Sequence, residues 1–320
     1  MTSATESQLA TAVLMIRPVR FHSNPLTAES NRFQGRTEAS PEQQQLAAAE
    51  EFAQLATTLG DAGIEVVAID DTPDPITPDS VFPNNWLSFH ADGSVVLYPM
   101  EAENRRTERR MDILDVLARD HGFHVSRIID LSAHEGHGKY LEGTGSMVFD
   151  RVHRIVYACL SSRTHLEVLG DFAQQLDYEI VAFDALDRDG RPIYHTNVLM
   201  NVGEQLAVIC DASIAHDEQR DAVMKSLHQT GHDIVSLNFE QMEAFAGNML
   251  EMRTQSGSRV VAMSEQARQS LTPSQLNIIE ANARIISAPI DGIEASSGGS
   301  VRCMLAEIHL PKDRLHKRPE

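Results

Sequence analysis

The sequence is short of basic residues, of cysteine and of long apolar runs, and each shortage removes a class of function. Only 27 Lys and Arg stand against 46 Asp and Glu, a formal charge of −19. Such a surface disfavours nucleic-acid phosphates and anionic lipid, and points to small-molecule partners instead. The three cysteines, Cys159, Cys210 and Cys303, are odd in number, far apart and without CxxC or Cys/His spacing. Neither a disulfide scaffold nor a zinc knuckle is suggested, and at least one thiol is free. The longest apolar stretch near the start, "LATAVLMI", is too short to span a bilayer and lacks the basic flank and cleavage pattern of a secretory signal. A cytoplasmic location with no membrane partner is expected.

What is present is a chain of 320 residues, 42% hydrophobic, long enough to bury a large core. A polar or glycine-bearing turn followed by an apolar run recurs in "PNNWLSFH", "EGTGSMVFD", "HTNVLMNVG", "AGNMLEM" and "GGSVRCMLAEI". Anchored on Asn85, Gly145, Asn197, Asn248 and Val301, the intervals are 60, 52, 51 and 53 residues. A constant period of this size marks a repeat architecture. Between the repeats lie amphipathic windows such as "PEQQQLAAAEEFAQLATTLGDAG", "RTHLEVLGDFAQQLD" and "TPSQLNIIEANA", each followed by a β-rich run such as "IEVVAI", "YEIVAF" or "ARIISAP". The pattern predicts five units of helix, strand, turn and strand in one α/β domain over residues 1–320. No linker divides it, and residues 1–12 read as a frayed tail.

A cysteine nucleophile needs a base or a positive neighbour to raise its thiolate fraction, and groups that hold a substrate carbon within reach. In corresponding places of the repeats, just at or before the apolar run, stand Asn84 and Asn85, then Glu142, then His195, then Cys303. Five-fold repetition brings those places to a central axis. A Glu, a His and a Cys all at strand starts share no packing reason, which favours a joint functional reading.

On these residues the sequence resembles the guanidino-group-modifying enzymes: arginine deiminase, dimethylarginine hydrolase and the amidinotransferases. "LEGTGS" stands where that family carries an acidic residue followed by glycines, "YHTNVLM" where it carries a histidine, and "GGSVRC" where it carries a cysteine. "PDSVFPNNW" and "ACLSSRT" match two further segments, and "MIRPVRFHSNPLTAESNRFQ" is similar to the citrulline ureidase branch. The resemblance implies the five-fold pseudosymmetric α/β-propeller, or pentein fold, of ββαβ-type units. It also implies Cys303 as nucleophile, His195 as proton shuttle and Glu142 as the acid that grips the substrate, with no metal and no cofactor.

Where the deiminases and dimethylarginine hydrolases usually place a second carboxylate, this chain has Asn85, with Asn84 beside it. A guanidinium offers only donors and suits carboxylates, whereas a neutral ureido group presents a carbonyl oxygen that an amide can donate to. The bland alternative is that "PNNW" merely forms a turn. For an amino-acid head group the resemblance offers Arg105, Arg106 and Arg163 toward the carboxylate, and Asp79 in a polar role. Asn31 and Gln34 sit in a loop placed to cover the site. Arg302 is expected to alternate to the opposite face of a strand from Cys303 and is not assigned. "AHEGHG" misses the zincin spacing, and "GTGS" and "SSGG" lack the lysine and helix of a phosphate cradle.

The reading that results is a hydrolase that converts L-citrulline to L-ornithine, ammonia and carbon dioxide through a covalent cysteine adduct. The rivals are an arginine deiminase, arginine dihydrolase or dimethylarginine hydrolase using the same residues, and a catalytically silent binding protein. The sequence leaves open whether copies of the chain form a homo-oligomer.

Overall fold

The amphipathic windows become helices because their ends are chemically marked. In the helix Pro41–Asp61, Ser40 caps the Gln43 amide, Gln43 bonds back to Ser40, and Pro41 opens the first turn. Ala48, Phe52, Leu55 and Leu59 fall on its buried face. Thr272 and Gln275 form the same reciprocal box at the start of the helix Pro273–Asn282. The computed structural model describes residues 6–28, 30–35 and 38–312.

The strands form five three-stranded sheets. β1 (Ala12–Arg17) and β2 (Glu65–Asp70) run parallel, joined by the helix Pro41–Asp61. β3 (Leu87–Phe89) is antiparallel to β4 (Ser94–Leu97), which is parallel to β5 (Arg127–Asp130). β6 (Val148–Asp150), β7 (Ile155–Cys159) and β8 (Glu179–Phe183) repeat that order, as do β9 (Met200–Val202), β10 (Leu206–Ile209) and β11 (Asp233–Ser236). So do β12 (Leu250–Arg253), β13 (Arg259–Ser264) and β14 (Arg284–Ala288). Finally β15 (Ala306–Glu307) pairs antiparallel with β1, so the end of the chain completes the sheet that the beginning opens. In each complete unit a helix joins the middle strand to the outer one, which makes the parallel pairing possible. The middle strands β4, β7 and β10 are buried throughout, covered on both faces.

The residues expected at strand starts lie instead on short helical turns: Pro83–Asn85, Gly143–Ser146, Thr196–Leu199 and Val301–Met304, with residues 244–247 as the fifth turn. The turns ring the axis in chain order. Pro83–Asn85 touches both Gly143–Ser146 and Val301–Met304, and Gly143–Ser146 touches Thr196–Leu199. Asn248 Nδ2 closes the ring by donating to the Asn197 carbonyl at 2.9 Å and to the Cys303 sulfur at 3.3 Å. Gly143 has φ +46°, and a Cβ there would lie 2.2 Å from the Asn84 carbonyl oxygen, so only glycine lets these two turns meet.

The frayed tail expected over residues 1–12 is corrected from Glu6 onward; residues 1–5 lie outside the described residues. Gln8 is buried and donates to the carbonyls of Phe149 and Val202, and Glu6 bonds Arg151 at 2.7 Å. No helix among the described residues is long and apolar enough to cross a membrane.

Candidate active site

Cys303 lies on the turn Val301–Met304, its amide bonded to the Ser300 carbonyl, and is 4% exposed. It lines a narrow cleft with Thr27, Asn31, Asp79, Asn85, Arg105, Arg163, Tyr194 and His195. Free space there is about 20 Å³, enough for about one water. A larger apolar groove of about 760 Å³, lined by Val19, Phe21, Leu46 and Ile76, carries no nucleophile.

His195 begins the turn Thr196–Leu199 and is buried. Its Nε2 is 2.9 Å from Glu142 Oε2. Glu142 is 0% exposed, yet it also faces Arg163 Nη1 at 3.4 Å and Arg105 Nη1 at 3.9 Å, and accepts the Glu101 amide at 3.1 Å. Burial would raise the Glu142 carboxyl, but Arg163, His195 and Arg105 outweigh it and hold the group well below the usual carboxylate range. An ionised Glu142 only accepts, so His195 Nε2 carries the proton and Nδ1 keeps its lone pair. Burial pushes the His195 pKa down against the pull of Glu142, which leaves the ring neutral at pH 7. A neutral imidazole with a free Nδ1 is a general base.

Asn85 is oriented by its neighbour. Arg105 Nη1 donates to Asn85 Oδ1 at 2.9 Å, and Arg105 grips Glu108 through Nε at 3.0 Å and Nη2 at 2.9 Å. An arginine has no acceptor, so the amide oxygen must face it and the Nδ2 must turn the other way. That Nδ2 is buried with no hydrogen-bond partner. A Cβ added at Gly145 would lie 2.5 Å from it and 2.7 Å from His195 Nδ1, so glycine at 145 makes room for both groups.

Asp79 is buried, accepts Asn24 Nδ2 at 2.7 Å and lies 3.8 Å from Arg105 Nε. Arg163 stacks on Tyr194 at 4.9 Å and bonds Glu101 and the Ser30 hydroxyl. Asn31 belongs to a strap across the cleft and ties it down through Ser297 O at 2.7 Å. Arg32 bonds Asp189 and Gly35 bonds the Ala295 carbonyl along the same strap.

Four expected residues stand elsewhere. Glu142, expected as the acid that grips the substrate, does not line the cleft and is held by His195, Arg163 and the Glu101 amide. Asn84 does not line the cleft; its Nδ2 bonds Thr144 Oγ1 at 3.2 Å and ties turn to turn. Arg106 also turns away, bonding the carbonyls of Met100 and Glu101. Gln34 braces the strap from within through Asn24 O and Thr27 Oγ1. Arg302 sits on a helical turn rather than a strand, and pairs with Glu307 at 2.7 Å. Two residues escaped assignment although they anchored the repeat. Asn197 and Asn248 point their amide nitrogens at the Cys303 sulfur, at 3.4 and 3.3 Å.

A family model described as N,N-dimethylarginine dimethylhydrolase, eukaryotic, matches residues 17–310. The apo structure of ArgZ, an arginine dihydrolase from the ornithine-ammonia cycle in cyanobacteria, superposes with a TM-score of 0.70 at 18% identity, covering 95% of this chain and 41% of that one. This chain therefore spans less than half the length of that enzyme. The N-terminal domain of ArgZ in a substrate-bound variant gives 0.70 at 18% identity, covering 93% of this chain and 99% of that one. A dimethylarginine dimethylaminohydrolase variant, seen as an adduct with S-methyl-L-thiocitrulline, gives 0.64 at 15% identity, covering 94% and 100%. At such identities the likeness to these structures is one of fold. No curated protein sequence matches the chain.

Proposed function

Since the chain belongs to the N,N-dimethylarginine dimethylhydrolase family of pentein-fold hydrolases, we propose that it hydrolyses the ureido group of L-citrulline to L-ornithine, ammonia and carbon dioxide. The observation that carries this reading is Asn85. Its oxygen is taken by Arg105 and its Nδ2 is a buried donor without a partner beside His195. A ureido oxygen is the acceptor that such a donor lacks, whereas every guanidinium nitrogen would meet it donor to donor.

In this mechanism the Cys303 thiol gives its proton to His195 Nδ1 and the sulfur attacks the ureido carbon. The carbonyl oxygen gains charge as the carbon becomes tetrahedral, and Asn85 Nδ2 donates to it. His195 returns the proton to the departing nitrogen as its C–N bond breaks, leaving a thiocarbamate on Cys303. Water, deprotonated by His195, attacks that carbon and the C–S bond breaks to restore the thiol. The carbamate released loses carbon dioxide, which breaks the second C–N bond, so one water is consumed for each citrulline. Glu142 holds the His195 ring and stabilises its cation while the proton is aboard.

For the head group, Arg163 is the cation for the carboxylate and Asp79 the acceptor for the ammonium, since both line the cleft. Three unpaired, buried thiols are in keeping with a cytoplasmic setting. One observation favours a second reading. Asp79 lines the cleft along with Arg105 and His195, so a second carboxylate is at hand for the guanidinium of arginine or a methylated arginine. Incubation of the purified protein with citrulline, arginine and dimethylarginine separates the two. Citrulline hydrolysis yields one ammonia per ornithine; formation of citrulline from either guanidino compound, or of ornithine with two ammonia from arginine, as the main reaction would establish the second reading instead.

A further inference from the structure

Beyond the substrate, we infer that Asn197 and Asn248 are catalytic residues that stabilise the Cys303 thiolate formed when His195 takes the proton, an anion site built of two neutral amides. The inference rests on Cys303 as nucleophile and is independent of whether citrulline is the substrate. The two side chains come from neighbouring turns of the ring, and both are buried, as is the sulfur they reach. Asn197 Nδ2 lies 3.4 Å from Sγ and Asn248 Nδ2 lies 3.3 Å from it. The orientation of Asn248 is fixed, because the same nitrogen donates to the Asn197 carbonyl at 2.9 Å.

Both amide oxygens, Asn197 Oδ1 and Asn248 Oδ1, are left buried without a partner. Leaving two acceptors unmet is unfavourable, and two N–H groups aimed at a thiol, a weak acceptor, return little. Against a thiolate the same two donors are charge-assisted bonds. Apart from His195 Nδ1, which takes the thiol proton, the other charged or titratable groups around the sulfur are already engaged. His195 and Arg163 are bonded to Glu142, Arg105 to Glu108, Asp79 to Asn24, and Arg302 to Glu307. Tyr194 donates its hydroxyl to the Gly298 carbonyl. The amides are therefore the groups that meet the sulfur charge directly.

The test uses substrate-free protein in a Cys159→Ala, Cys210→Ala background and follows alkylation of Cys303 by iodoacetamide at pH 7 and at pH 10. In Asn197→Leu and in Asn248→Ser the rate constant should fall about threefold to tenfold at pH 7, where the thiolate fraction limits it. It should equal or exceed that of the parent at pH 10, where a more basic thiolate is also more nucleophilic. Asn197→Asp, which sets a carboxylate against the sulfur, should fall further at pH 7 than Asn197→Leu. Circular dichroism and thermal melting identify any variant that misfolds, and the remaining variant then decides. Rates unchanged at both pH values, or lowered equally at both in a folded variant, would overturn the inference. Failure of citrulline turnover alone would leave it standing.

Discussion

Replacing Asn85 by aspartate separates a donor that reads the substrate from a residue that merely shapes a turn. The substitution keeps size and shape but exchanges the unpartnered Nδ2 for an oxygen. Arg105, 2.9 Å from the opposite side of the group, remains a cationic partner for the introduced carboxylate, so the fold is expected to survive. Citrulline then presents its carbonyl oxygen to an acceptor. One hydrogen bond is lost, and a charged group stays buried without its counterpart on the cleft side. An unsatisfied buried group costs about 1–3 kcal/mol, and more when it is charged. The expected fall in kcat/KM for citrulline is therefore at least about tenfold. Arginine responds in the opposite direction, because its guanidinium meets two carboxylates, Asp79, which lines the cleft, and the introduced one. The assay compares kcat/KM for citrulline and arginine in the parent and the variant at one pH and one salt concentration. An unchanged ratio of the two values would refute the reasoning and return Asn85 to the role of a turn residue.

Cys303→Ala should abolish turnover while Cys159→Ala and Cys210→Ala retain it. Burial pushes those two thiols up to about 12 and about 11, and neither lines the cleft; peptide mapping after a thiol-reactive substrate analogue checks the assignment. His195→Gln should lower kcat by about 10²–10⁴-fold with a smaller effect on KM, as measured by steady-state kinetics. Burial lowers the His195 pKa from its ordinary value of 6.5, so the neutral base persists to lower pH. The acid limb of the kcat/KM profile should accordingly lie below 6.5, and a limb above it would contradict a neutral, buried imidazole. Gly145→Ala should cost on the order of 10²-fold in kcat in a folded protein, because the added methyl displaces both Asn85 Nδ2 and His195.

The helices and outer strands were legible in the sequence because their signals are local. The Ser40 and Thr272 caps and the Phe52, Leu55 and Leu59 spacing require no knowledge of the rest of the chain. β1 was hidden because its sheet is split between the two ends of the sequence, and Glu6 and Gln8 read as tail because their partners Arg151, Phe149 and Val202 lie far along the chain. In the site, the register of the repeat sufficed to bring Glu142 and His195 into contact and to set His195 beside Cys303 in the cleft, with Glu142 buried behind it. It did not choose between neighbours. Adjacent residues on a helical turn point roughly 100–120° apart, so of Asn84 and Asn85, or of Arg105 and Arg106, only one faces the axis. Asn197 and Asn248 were visible as repeat markers. Their contact with the sulfur was not, since it depends on the ring closing between turns.

The central claim, that Cys303 takes the ureido carbon of citrulline onto its sulfur and releases it as carbon dioxide, is tested most directly by citrulline isotopically labelled at that carbon. Rapid acid quench followed by peptide mass mapping should find the label transiently on the Cys303 peptide. At completion it should appear in carbon dioxide, with ornithine unlabelled. Label that stays in an amino-acid product, or turnover with no adduct at Cys303 at any quench time, would contradict the account.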